Sequence, residues 1–171
     1  METTKNSSAP EAPPQRRIIR DRHEVSDFLV VLAENATREI VIFAPRLDGA
    51  YFNTSRFARA LASFAARHRQ NLARIVIEDA EQAIRDNDHL VGLCRRLSDF
   101  IHMRQVAEEH LGIHEMFVVV DHRGYLHQQD TARPDCVAHP HDGHEAVLLT
   151  QRFNELWDRS EPVVALRAVG L

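Results

Sequence analysis

The sequence predicts an α/β protein with a mixed, mostly parallel sheet and helices on both faces. Two short runs, 39–44 and 73–78, are apolar and rich in β-branched residues, as is typical of strands covered on both faces. Segments with apolar residues at helical spacing alternate with these runs, and such alternation forms a sheet with helices packed against it. A turn at 123–124 between two further β-rich runs predicts a hairpin, which makes the sheet mixed.

The predicted elements follow in order along the chain. Each helix is assigned from apolar residues three or four apart, and each strand from a short apolar or alternating run. Thr54 or Ser55 is predicted to cap the second helix, because a hydroxyl oxygen there can accept a hydrogen bond from a backbone N–H of the first turn. The polar, proline-containing segment 128–143 is predicted as a loop. The helices are expected at 26–36, from 54 or 55 onward, at 89–97 and at 144–159, and the strands at 39–44, 73–78, 99–104, 116–121 and 125–127.

The length and composition indicate one globular domain. The chain has 171 residues, of which 44% are hydrophobic and 27% are charged, values of an ordinary folded protein. The first residues are rich in Pro, Ser and Thr and lack apolar periodicity. We therefore predict a disordered N-terminal tail over residues 1–20 and a single α/β domain over residues 21–171.

Charge and hydropathy narrow the functional classes. The formal net charge of -4 argues against a protein that mainly grips nucleic acid through a basic surface, although a local basic patch stays open. No apolar run precedes residue 28, and none reaches the roughly 18 residues of a membrane span. The two cysteines, Cys94 and Cys136, form no ligand pair by spacing. We predict a cytoplasmic protein that needs neither a membrane nor a cofactor.

The segment from His114 to Asp121 carries the main chemical pattern. Its spacing resembles the motif of the phospholipase D superfamily, His-x-Lys-x4-Asp on a strand, which is often followed by a Gly-Ser pair and an Asn. Met116 stands where that motif has lysine. The positions of the Gly-Ser pair and of the Asn hold Gln128, Gln129 and Thr131. The resemblance implies a phospholipase D-like fold over about residues 26–161.

The resemblance also implies roles for the motif residues. In that superfamily the histidine attacks phosphorus to form a covalent phosphoenzyme, the lysine stabilises the charge of the transition state, and the aspartate orients the histidine. Two such half-sites face each other, so a chain with one copy is expected to form a homodimer. Methionine at position 116 offers neither a charge nor a hydrogen-bond donor. We therefore expect His114 and Asp121 to be remnants of a catalytic site rather than parts of a working enzyme.

The run from His89 to Leu97, together with Arg104, resembles an uncharacterised bacterial family of phospholipase D-like domains. We predict a binding or regulatory module whose ligand is an anion, a phosphorylated metabolite or a protein partner. Arg104, Arg95 and Arg96 are the candidate anion-binding residues, since guanidinium groups bind phosphate well.

Two alternatives follow from other residues. Arg104 could replace the missing lysine, which would leave a phosphodiesterase or nuclease. A domain that binds metal through His139, His141 and His144 is the second alternative, because imidazole is a common ligand of zinc, nickel and copper.

Overall fold

In the computed structural model, which describes residues 13–167, eight strands form a single sheet. The strands are Arg17–Ile19 (β1), Glu39–Phe43 (β2), Leu72–Ile77 (β3), Ile101–Val106 (β4), Met116–Val120 (β5), Gly124–Gln128 (β6), Cys136–His139 (β7) and Ser160–Pro162 (β8). Their order across the sheet is β1-β7-β6-β5-β2-β3-β4-β8.

The mixed α/β class predicted from the sequence is confirmed. Parallel pairing joins β2 to β3 and β3 to β4, while every other neighbouring pair is antiparallel. The predicted hairpin forms between β5 and β6. Parallel pairs are thus fewer than predicted, because short antiparallel strands extend both sides of the central β2–β3–β4 unit.

Helices cover both faces of the sheet, as predicted. They are Arg22–Asn35 (α1), Gly49–Phe52 (α2), Ser55–Arg67 (α3), Ala80–Asp86 (α4), Asp88–Arg96 (α5) and Gly143–Asp158 (α6). Thr54 caps α3 as expected, since its Oγ1 accepts a hydrogen bond from the N–H of Phe57. Asp21 caps α1 in the same way, and the helix therefore begins at Arg22, earlier than the apolar pattern indicates.

The two faces carry separate apolar cores. Helices α1, α3 and α5 contribute to the larger core on one face, and α6 alone covers the other. Side chains along a strand alternate between faces. Met116 and Val118 of β5 therefore pack on the α1 and α3 side, while Phe117 and Val119 pack beneath α6.

Several short elements escape prediction from the sequence. Strand β7 lies inside the predicted loop 128–143, and β1 lies inside the segment predicted as the tail. Residues 1–12 of that tail lie outside the described residues. Both strands have only a few residues and form by antiparallel pairing with each other, so neither needs a long apolar run. Between residues 13 and 167, no helix has the length and apolar character required to span a bilayer.

Candidate functional site

A cavity of about 510 Å³ opens at one end of the sheet, where β2, β3 and β6 finish and β5 begins. Its walls include the segment after β2, Glu78 after β3, and His114 and Met116 at the start of β5. Residues of α1 and α2 close it from the side. Ligands of open α/β sheets commonly bind beyond the carboxyl ends of the parallel strands, which is the position of this cavity.

His114 is exposed at the rim of the cavity. Hydrogen bonds fix the backbone at this residue and at the residue before it. Its carbonyl oxygen accepts a hydrogen bond of 2.8 Å from the N–H of Thr131. The preceding residue, Ile113, donates its N–H to Oε1 of Glu78 at 2.9 Å. These bonds fix the backbone at His114 between the ends of β3 and β6.

Met116 forms part of the cavity floor and is only 3% exposed. It lies opposite Gln128 of β6, and the pairing of Phe43 with Phe117 places it beside Ala44 at the end of β2. The floor next to His114 is therefore apolar where the superfamily motif has a lysine.

The cavity wall carries two arginines, Arg22 and Arg46, and two carboxylates, Asp48 and Glu78. Arg22 donates to Asp48 at 3.1 Å and lies over the ring of Tyr51, with 5.7 Å between the guanidinium carbon and the ring centroid. Burial is the main reason that the pKa of Tyr51 is raised above its ordinary value. Arg46 is exposed and has no ion-pair partner among residues 13–167, and Glu78 supplies the second carboxylate.

Asp121 lies at the far end of β5 from His114. Their separation of seven positions corresponds to about 23 Å of extended chain. The Asp121 carboxylate accepts hydrogen bonds from the backbone N–H groups of Thr37, Arg38 and Glu39 at 2.7, 2.8 and 2.9 Å. The role that the resemblance implies for it, orienting the histidine, is wrong for this chain, because its carboxylate instead fixes the start of β2.

Arg104 does not replace the lysine. It lies on the α6 face of the sheet, opposite to the face of Met116, where its guanidinium carbon is 4.2 Å from the ring centroid of Trp157. It also donates to the Trp157 carbonyl at 3.2 Å. Arg95 and Arg96 are in the last turn of α5, Arg95 donates to the carbonyl of Ala165, and neither lines the cavity.

The three histidines proposed as metal ligands do not converge. Nδ1 of His139 accepts a hydrogen bond from the N–H of His141, and its ring stacks on Tyr125. His144 lies in the first turn of α6. In the part of the chain from 13 to 167, no three His, Cys, Asp or Glu side chains are arranged to hold a metal ion, so the predicted ligand set does not form.

Behind the cavity, a buried carboxylate joins three elements. Glu115 is 7% exposed and points away from His114, to the α6 face. Its Oε2 lies 3.0 Å from Nε2 of His127 on β6, and its Oε1 forms an ion pair with Arg152 on α6. Sequence reasoning missed this cluster and also Arg22, since each is assembled only by tertiary packing.

The sequence matches a family described as a domain of unknown function, DUF7931, over residues 21–169. It matches none of the curated proteins.

Solved structures share the fold at low sequence identity. TrmBL2, an archaeal chromatin protein with a novel mode of DNA binding, has a TM-score of 0.66 at 12% identity, over 91% of this chain but only 57% of its own. Nuc, a phospholipase D family member from Salmonella typhimurium, has a TM-score of 0.63 at 13% identity, over 88% of this chain and 98% of its own. NucT from Helicobacter pylori has a TM-score of 0.62 at 10% identity, over 88% and 99%. The predicted phospholipase D-like fold is confirmed.

Proposed function

The chain belongs to the DUF7931 family, and from its phospholipase D-like fold we propose that it is a catalytically degenerate domain that binds a small anionic ligand without hydrolysing it. The binding site is the cavity around His114. The observation that carries this proposal is the position of Met116, whose apolar side chain forms the floor beside His114 where the motif has lysine.

Loss of catalysis follows from the chemistry of phosphoryl transfer. Removing a single donor that stabilises transition-state charge lowers a rate by roughly 10²–10³, and Met116 removes a donor together with its charge. Arg104 is on the opposite face of the sheet and Asp121 is at the opposite end of β5. The side chains that remain at the cavity can hold an anion but lack the group that would stabilise its transfer.

Retention of binding is supported by the shape and donors of the cavity. Its volume is within the usual range for small-molecule sites. Arg46 and His114 are exposed at its rim, and a guanidinium is well suited to phosphate or carboxylate. Arg22 adds a second guanidinium, already oriented by Asp48.

A hydrolysis assay tests the catalytic part of the proposal. Wild-type protein and the His114→Ala variant are incubated with bis(nitrophenyl) phosphate and with single- and double-stranded DNA. We expect no product above background for either protein. Turnover by the wild type that disappears in His114→Ala would show a working enzyme and overturn the proposal.

A titration with inorganic phosphate tests the binding part. We expect Arg46→Ala to weaken phosphate binding about tenfold, because a charge-assisted hydrogen bond is lost. Arg59→Ala is the matched control, since Arg59 is exposed on α3 and does not line the cavity. Calorimetry that finds no phosphate binding to the wild type, or equal loss in both variants, contradicts the proposal.

The homodimer is a proposal that rests on the resemblance alone. A single-motif chain that follows the superfamily pattern brings two cavities together by two-fold symmetry. Sedimentation velocity at several protein concentrations tests it, and a monomer at every concentration would exclude it.

A further inference from the structure

The cavity presents acceptors as well as cations. Arg22 is paired with Asp48, whereas Arg46, His114 and Glu78 lie at the same wall of the cavity, since Glu78 adjoins both Pro45 and Ile113. Glu78 donates its backbone N–H to Pro45 at 2.9 Å, so its side chain leaves the sheet next to the residue that precedes Arg46. A purely anionic ligand held by Arg46 would lie close to the Glu78 carboxylate.

Glu78 has a free oxygen. Its Oε1 accepts the N–H of Ile113, which fixes the carboxylate at the cavity wall and leaves Oε2 available. No cation among residues 13–167 forms an ion pair with it. A carboxylate held rigidly in this way binds a cationic or hydrogen-bond-donating group well, since little conformational freedom is lost.

Gln128 supplies a second acceptor on the other side of Met116. It is 6% exposed and lines the cavity, and its Nε2 donates to the carbonyl of Arg133 at 2.6 Å. That bond assigns the amide orientation and leaves Oε1 without a partner among the described residues. The floor therefore has acceptors at both ends, Gln128 and Glu78, with apolar Met116 and Ala44 between them.

We infer that the ligand is a zwitterion, a phosphate- or carboxylate-bearing molecule that also carries an amino group, with its anion at Arg46 and His114 and its ammonium at Glu78. This inference rests on the proposed function and names its ligand class. Met116 and Ala44 of the floor offer an apolar surface to the ligand's carbon chain. Glu78 is then the residue that determines specificity, because it rejects anions that lack a donor.

Two phosphonates of the same length test this assignment. Aminopropylphosphonate carries an ammonium group where butylphosphonate carries a methyl group. Calorimetry is expected to show that the wild type binds the amino compound about tenfold more tightly. In Glu78→Gln, which keeps an acceptor for the N–H of Ile113, the two affinities should become equal. Glu155→Gln, an exposed change on α6, should keep the wild-type ratio.

The outcomes separate the two proposals. If the wild type binds inorganic phosphate but does not distinguish the phosphonates, the zwitterion assignment is overturned and the proposed function stands. Absence of binding to all three anions overturns both. A preference that survives in Glu78→Gln overturns the role of Glu78. The wild-type comparison holds even if the variant does not fold.

A zwitterion with an anionic group and an amino group is found both in lipid headgroups and in free metabolites. Sedimentation with phosphatidylcholine vesicles, with and without phosphatidylethanolamine, distinguishes these sources. Pelleting only with phosphatidylethanolamine indicates a headgroup, whereas protein that stays in the supernatant yet binds aminopropylphosphonate indicates a free molecule. Either result supports the zwitterion assignment.

Discussion

Met116 of β5 and Gln128 of β6 are directly opposite each other in the hairpin, and both side chains line the cavity. They occupy the lysine position and the first position of the Gly-Ser pair in the superfamily motif. The two substitutions are thus neighbours in space. Together they give a floor that combines an apolar surface with an amide acceptor.

Met116→Lys is expected to tighten phosphate binding about tenfold without creating hydrolysis, because it adds a cation while Gln128 still occupies its position. Stability should fall, since lysine replaces a side chain that is 3% exposed. Met116→Leu, which nearly conserves volume, is the control and should leave binding unchanged. Phosphodiester hydrolysis by Met116→Lys would show instead that only the lysine is missing.

Asp121→Asn is expected to destabilise the protein by about 3 kcal/mol, because an amide cannot accept from all the N–H groups that the carboxylate holds. Urea unfolding measures the loss. Asp99→Asn, at an exposed site before β4, should change stability little. The phosphate affinity of the folded Asp121→Asn variant should equal that of the wild type. A loss of affinity in the folded variant would show that Asp121 contributes to binding.

Arg104→Ala is expected to leave phosphate affinity unchanged and to lower stability by about 1 kcal/mol, the usual contribution of a cation–π contact. Trp157 is the single tryptophan of the chain, so a change in its emission reports the lost contact directly. Weaker phosphate binding without an emission change would place Arg104 at the cavity after all.

Arg152→Ala is expected to cost about 1 to 2 kcal/mol, because the buried Glu115 carboxylate keeps only His127 as a partner. The expected loss of stability is smaller than for a fully buried ion pair, because the Arg152 side chain is half-exposed. Glu115→Gln in the same background should recover part of the loss, as measured by urea unfolding. A double variant no more stable than Arg152→Ala would mean that the unpaired Glu115 carboxylate is not the cause of the loss.

Alkaline pH should destabilise the fold through its two thiols. Burial raises the pKa of Cys94 to about 12 and that of Cys136 to about 11, from an ordinary value of 9. Their contribution is complete below pH 9 and is lost as the pH rises toward the folded values, because only the unfolded chain releases these protons. Each thiol should lower the free energy of unfolding by about 1 kcal/mol between pH 8 and pH 10. Cys94→Ala should show a smaller decrease than the wild type over this interval, and an equal decrease would refute the assignment.

Much of the fold was predictable because its central elements carry strong local signals. The apolar runs that form β2 and β3 and the hydroxyl cap of α3 are readable without tertiary information. Strands β1, β7 and β8 were not, since each has three or four residues and depends on its partner strand for hydrogen bonds.

The site was predictable only in part. The predicted strand 39–44 ends two residues before Arg46 and the predicted strand 73–78 ends at Glu78, and the structure places both residues at the cavity. It does not indicate that Arg22, at the start of α1, packs against the same space, because that depends on how the helix docks. The position of Arg104 depends on which face of the sheet the even-numbered residues of β4 point to. The weak alternation of apolar and polar residues in that strand does not predict this.

The hydrogen bonds between the Asp121 carboxylate and the backbone of residues 37–39 give this residue a role in folding, and that role affects which substitutions evolution tolerates. A residue required for folding is retained by selection for stability, whether or not chemistry at His114 is still needed. Position 116 faces the cavity and, under the proposed loss of hydrolysis, is no longer constrained to be lysine. Asp121 can therefore be kept for folding alone, so the His-to-Asp spacing by itself does not indicate hydrolysis.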